Sequence, residues 1–220
     1  MSFSAALARD AGLIQARLDA ALAGKADVHV VHAMRYAVQG GKRLRGFLVL
    51  EGARMLGVAE ARAIAAAAAI EALHAYSLIH DDLPCMDDDD LRRGLPTVHV
   101  TWDQATAVLA GDALQSIAFE LLCDASLGSA EVRMALVSRL ARASGAEGMV
   151  LGQALDIAAE TAVVLVLPRT VFETLRRSPA PHALALFAAA GRQLVRDQRR
   201  ANRHLGRAVS LALFNRQGAA

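Results

Sequence analysis

The sequence predicts an all-α helical bundle, and three observations carry that prediction. Apolar residues make up 55% of the 220-residue chain while aromatics make up 4%, an alanine- and leucine-dominated mix that favours helix over sheet. Apolar positions recur at helical spacing through residues 1–160. No apolar/polar alternation persists in that stretch, so no half-buried strand is expected there.

From the N-terminus onward, residues 3–23 place Leu7, Ile14, Leu18 and Leu22 on one stripe, and Gly24 supplies a stop. A short helix around 29–38 ends at Gly40–Gly41, and a longer one from Lys42 to Leu56 stops at Gly57. Residues 59–81 are alanine-rich nearly all the way round, the mark of a buried helix. Another helix covers 102–123, with Trp102 near its start, and two more cover 129–143 and 145–160. Gly111, Gly148 and Gly152 would let helices approach closely. Helices with such faces bury them against one another as a bundle.

The character changes after Glu160. Ala162–Leu167 is a β-branched run ended by Pro168, and Pro179 and Pro181 break the next stretch. Residues 1–160 hold 14 basic and 20 acidic side chains; residues 161–220 hold 10 arginines, no lysine and two acids. A net charge of +2 therefore conceals −6 against +8. Arginine-rich, lysine-free, proline-bearing sequence is what GC-rich DNA yields in a wrong frame. The chain is thus expected to divide into 1–160, the N-terminal part of a helical domain, and 161–220, an atypical tail read out of frame. A basic tail can also mark nucleic-acid binding, but these arginines form no consistent polar face, and no nucleic-acid partner is expected.

Cys85 and Cys123 have neither zinc spacing nor a disulfide framework, which suits a reducing cytoplasm. No signal peptide is expected at the N-terminus. No apolar run is read as reaching membrane-spanning length, so no membrane insertion is expected.

The densest chemistry lies between His80 and Gly94. Asp81, Asp82, Asp87, Asp88, Asp89 and Asp90 put six carboxylates within ten residues, and Arg92 and Arg93 come directly after. Mg²⁺ prefers oxygen ligands and bridges carboxylates to phosphates, and the arginine pair suits forked phosphate recognition. A solvated acidic loop is the alternative reading. Pro84 ends or kinks the helix, so Asp81 and Asp82 sit at its C-terminal end and Asp87 returns from a bulged loop. Carboxylates are disfavoured at that end of a helix dipole, a cost that metal binding would offset.

Gly40–Gly41–Lys42–Arg43–Leu44–Arg45 places three cations at a predicted helix start, where backbone N–H groups also attract anions. An ordinary basic loop is an equal alternative. His74 lies about two helical turns before Asp81, so both would look into one cavity; a hydrogen-bonded core histidine is the alternative. Tyr76 and Ser77 precede the cluster, and His80 adjoins Asp81 as a group that would orient a carboxylate. Gln153 and Asp156 lie one turn apart on a later helix.

Taken together, these stretches resemble the trans-polyprenyl diphosphate synthase family, and within it the bacterial farnesyl type. The matching segments are residues 40–45, Glu71 through Gly94 with its Pro84–Cys85 insertion, Leu109–Leu114 and Gly152–Asp156. The resemblance covers residues 1–160 and implies an isoprenoid-synthase-like helical bundle around a central cavity, as a homodimer. It implies that Asp81 and Asp87 bind Mg²⁺, with Asp82 supporting, and that Arg92 contacts an allylic diphosphate. Lys42, Arg45, His74 and Arg93 would hold isopentenyl diphosphate. Tyr76 and Ser77 would limit chain length, giving farnesyl diphosphate. The family's Lys-Thr pair, Phe-Gln pair and second aspartate-rich motif are not found after Glu160. The C-terminal part of the fold is therefore expected to be missing or aberrant and activity impaired. The alternative is a non-catalytic, prenyl-diphosphate-binding or regulatory subunit.

Overall fold

A computed structural model of the chain describes residues 2–158. The expected division at 160 and the atypical tail 161–220 lie outside the described residues. The chain falls into two compact units, Met1–Ser144 and a second beginning at Gly145.

In the first unit, α1 spans Phe3–Leu22, and the Ser2 side chain accepts the Ala5 N–H at its start. Its predicted stripe holds, with Ile14, Leu18 and Leu22 buried. Next come α2 (His29–Ala37) and α3 (Leu44–Met55). Helix α3 starts later than the predicted Lys42, because Gly40, Gly41 and Arg43 have φ of 68°, 86° and 50°, values no right-handed helix accommodates.

The helix predicted over 59–81 is two pieces, a 3₁₀ turn Glu60–Arg62 and α4, Ile64–Asp81. The helix predicted over 102–123 is one helix, α6 (Gln104–Leu122), preceded by a separate short helix, α5 (Val98–Thr101), that lies outside the predicted span. Asp103 starts α6 by accepting the Thr106 N–H at 2.7 Å. Between α4 and α5 lies a hairpin that alternation could not reveal, because each strand is two residues long. Strands β1 (Leu91–Arg92) and β2 (Leu95–Pro96) pair antiparallel, Leu91 opposite Pro96. Its two-residue turn, Arg93 and Gly94, has φ of 56° and 81°, the positive pair a type I′ hairpin turn needs. After a 3₁₀ turn Ala125–Leu127, α7 spans Ala130–Ser144 and ends the first unit; α8, Met149–Ala158, belongs to the second.

The core is built round α4, which packs most extensively on α6 and also on α3 and α1. Ala65, Ala67, Ala68 and Ala72 on α4 and Ala107, Ala110, Leu114 and Ala118 on α6 are fully buried. Small side chains bring these helices close. A Cβ at Gly111 would stand 2.2 Å from His80 Nε2, as the predicted close approach requires. Gly46 allows a second close approach, a Cβ there standing 2.6 Å from Ile14 Cδ1 and 2.9 Å from the Ala67 carbonyl oxygen. At Gly152 the expected close packing is not found; a Cβ would meet nothing within 4 Å among the described residues.

α6 corrects a further expectation. Its 19 residues are long and apolar enough, by length and composition, to cross a membrane. Half of that apolar window is buried within the protein, as in the core helix of a bundle. On α1, the fully buried Asp10 is gripped by Arg54, with Nη1 and Nη2 at 2.6 and 2.9 Å. Arg54 also reaches Glu60 at 2.6 Å. This network joins α1, α3 and the 3₁₀ turn.

Candidate functional site

The site is organised by the end of α4. The helix stops at Asp81, and the acidic loop folds back to serve its last carbonyls. Asp87 N–H donates to the Asp81 carbonyl at 2.9 Å, and Asp89 N–H to that of Asp82 at 3.3 Å. These bonds satisfy terminal acceptors that a helix would otherwise leave to water. Asp87 therefore returns beside Asp81, as Pro84 led us to expect.

The hairpin then brings Arg92 into the acids. Its Nε donates to both Asp82 oxygens at 2.7 and 2.9 Å, and Nη2 lies 2.5 Å from Asp82 Oδ1. The same nitrogen is 3.7 Å from Asp81 and 3.8 Å from Asp89. Asp82 is buried, and that burial pushes its carboxyl above the usual range even though Arg92 pulls the other way. Asp82, expected among the metal ligands, has both oxygens engaged by Arg92. Among the described residues, no three His, Cys, Asp or Glu side chains converge on one metal position. The donor chemistry still suits Mg²⁺, which is commonly held by one or two carboxylates plus substrate phosphates rather than by a protein cage. The cluster already draws one cation, the Arg92 guanidinium, among its oxygens.

The basic half of the site faces the start of α3. Of its three cations, Arg43 turns inward. Its buried guanidinium donates to the Val38 carbonyl and Gln15 Oε1 and faces Glu71 at 3.7 Å. Lys42 and Arg45 remain exposed. Arg45 Nη1 lies 3.1 Å from His74 Nε2. Burial, then Arg45, Arg93, Arg92 and Arg43, lower the His74 pKa to about 3. The ring is therefore neutral at neutral pH, accepts from Arg45 at Nε2 and carries its proton on Nδ1. Arg93 lies across the glycine loop, where a Cβ at Gly41 would stand 2.8 Å from its Nη1.

Consecutive arginines thus serve opposite halves, Arg92 the acids and Arg93 the basic loop. His74 and Asp81 share a half-buried stripe of α4 with Ala66, Ile70 and Ser77, as their spacing predicted. Ser77 Oγ donates to the His74 carbonyl at 2.9 Å. Tyr76 packs edge-on against His80, ring centroids 5.1 Å apart. The His80 Nε2 faces α6, 3.0 Å from the Val108 carbonyl oxygen and 3.9 Å from the Asp112 carboxylate. Gln153 and Asp156 both lie on α8, in the second unit.

Sequence reasoning missed Glu71. It is buried on α4 and accepts the Gly46 N–H at 2.9 Å. The available signal was its solitude, since no other Asp, Glu, Lys or Arg stands between Arg62 and Asp81.

A family model described as polyprenyl synthetase matches residues 27–190, a span running past the 160 at which the motif resemblance ends. The chain is 57% identical over 132 residues to the farnesyl diphosphate synthase of Haemophilus influenzae, a match covering 60% of this chain and 45% of that protein. It is 42% identical over 189 residues to the farnesyl diphosphate synthase of Geobacillus stearothermophilus, covering 81% and 63% respectively. Among solved structures, an FPP/GFPP synthase from Zymomonas mobilis superposes with a TM-score of 0.68 at 46% identity, over 77% of this chain and 63% of that one. The chain spans about half the length of the Haemophilus protein and of the Escherichia coli farnesyl diphosphate synthase, 45% of each.

Proposed function

The chain belongs to the polyprenyl synthetase family, with the all-α fold of the isoprenyl synthases, and on that premise we propose that it is a short-chain prenyltransferase. It condenses isopentenyl diphosphate with dimethylallyl or geranyl diphosphate to give farnesyl diphosphate. The observation that carries this reading is the division of labour between Arg92 and Arg93. One sits among carboxylates suited to a metal-bound diphosphate, the other beside a cationic loop suited to a metal-free one.

In this reading Asp81 and Asp87 hold Mg²⁺, with Asp82 acting through Arg92. Mg²⁺, when bound, supplies charge neutralisation as the allylic C–O bond breaks. Arg92 contacts the allylic diphosphate. Lys42, Arg45 and Arg93 hold the isopentenyl diphosphate, and neutral His74 keeps the Arg45 fork aimed. Tyr76 and Ser77 limit the length of the growing chain. Apolar helix walls keep water from the allylic cation. The same reading has the chain working as a cytoplasmic homodimer, without nucleic acid and without membrane insertion.

The test is calorimetric titration of the chain with geranyl diphosphate. We expect Mg²⁺-dependent binding that Asp81→Ala abolishes. Unchanged binding by that variant overturns the metal assignment. Binding without any isopentenyl transfer would instead identify the non-catalytic subunit.

A further inference from the structure

We propose that Glu71 is a positioning residue for the basic half of the site. The inference rests on the reading of Lys42, Arg45, His74 and Arg93 as a metal-free diphosphate site. A buried carboxylate is costly unless its oxygens are paired, and Glu71 is 3% exposed. One oxygen accepts the Gly46 N–H at 2.9 Å and the other faces Arg43 Nη1 at 3.7 Å. Those partners flank Arg45 in the chain.

Glu71 therefore holds both sides of the segment that presents Lys42 and Arg45. The start of α3 has no local side-chain cap, its N-cap Arg43 standing in the left-handed region. The cap comes from α4 instead. His74, which receives Arg45 at 3.1 Å, lies three residues after Glu71 on the same helix, one turn along. One turn of α4 thus fixes where α3 begins and where the Arg45 guanidinium ends.

Replacing a whole buried ion pair by packed apolar groups is often neutral, but removing one partner leaves the other charge buried and uncompensated, here Arg43 at 5% exposed. What an apolar side chain cannot supply is the acceptor that sets the register of Gly46. Loss of Glu71 should therefore disturb the basic half and spare the acidic half, which α4 and the hairpin build without it.

The experiment titrates the full chain and its Glu71→Leu and Glu71→Gln variants with two ligands. One is inorganic diphosphate with a chelator present; the other is geranyl diphosphate with Mg²⁺. We expect Glu71→Leu to weaken metal-free diphosphate binding about tenfold, the size of one lost charge-assisted hydrogen bond. Its Mg²⁺-dependent geranyl diphosphate binding should stay within about twofold of the parent. Glu71→Gln, whose amide oxygen can still accept from Gly46, should restore most of the lost affinity. If Glu71→Leu fails to fold, Glu71→Asp takes its place, one methylene too short to reach Gly46, with the same split expected. Equal weakening of both ligands, no weakening of either, or a Gln variant as impaired as Leu overturns the proposal. A parent chain that binds geranyl diphosphate with Mg²⁺ but no metal-free diphosphate overturns it as well. A parent that binds neither brings down the reading beneath it.

Discussion

At the scale of single residues, the clearest chemistry belongs to His74. Its pKa is lowered from 6.5 to about 3 by burial and by the surrounding arginines. In the unfolded chain the same imidazole protonates below its ordinary value, so there the unfolded state binds a proton that the folded state refuses. Stability therefore rises with pH through this window and is lost as pH falls from about 6.5 toward about 3. We expect His74→Asn to flatten that part of the profile, measured by urea unfolding from about pH 7.5 down to about pH 5. A variant whose profile runs parallel to the parent's would show that His74 is not held neutral. Arg43 teaches the converse lesson. Its neighbours Lys42 and Arg45 are exposed, yet Arg43 faces inward, because its left-handed backbone turns the guanidinium toward Val38, Gln15 and Glu71.

At the scale of elements, the contact of α1, α3 and α4 at Gly46 decides a competition between two effects. Alanine favours helix over glycine by about 1 kcal/mol. The new methyl would stand 2.6 Å from Ile14 Cδ1 and 2.9 Å from the Ala67 carbonyl oxygen. Ile14 is fully buried and the Ala67 oxygen is backbone, so neither yields easily, and overpacking costs about 1–3 kcal/mol. Crowding wins: Gly46→Ala should lower stability by about 1 kcal/mol net, seen as a lower midpoint in thermal or urea unfolding. An unchanged or raised midpoint would mean that α3 can slide away from α4. Such sliding would also remove the basis for Glu71 as a fixed cap.

At the scale of the whole molecule, residues 1–160 carry a net charge of −6 and residues 161–220 one of +8. We propose that the basic stretch is read out of frame, although the family match runs on to residue 190. Sequencing the coding DNA across residues 155–220 should reveal another frame bearing the family's Lys-Thr pair, Phe-Gln pair and second aspartate-rich motif. Three frames without them would make the stretch genuine and favour a binding role over catalysis. What the sequence determined by itself was the helical class, most helix bodies, the return of Asp87 after Pro84 and the shared stripe of His74 and Asp81. These depend on local rules: apolar period, helix breakers and angular spacing. The break near Ala63, the short helix α5, the two-residue strands and the direction of each functional side chain were decided only by tertiary structure. Arg92 on Asp82, Arg93 over Gly41, His80 turned to α6 and Glu71 capping α3 all pair groups from separate elements. Spacing along the chain carries no record of such pairings, because each is set by which helix packs beside which and by the need to satisfy every buried charge.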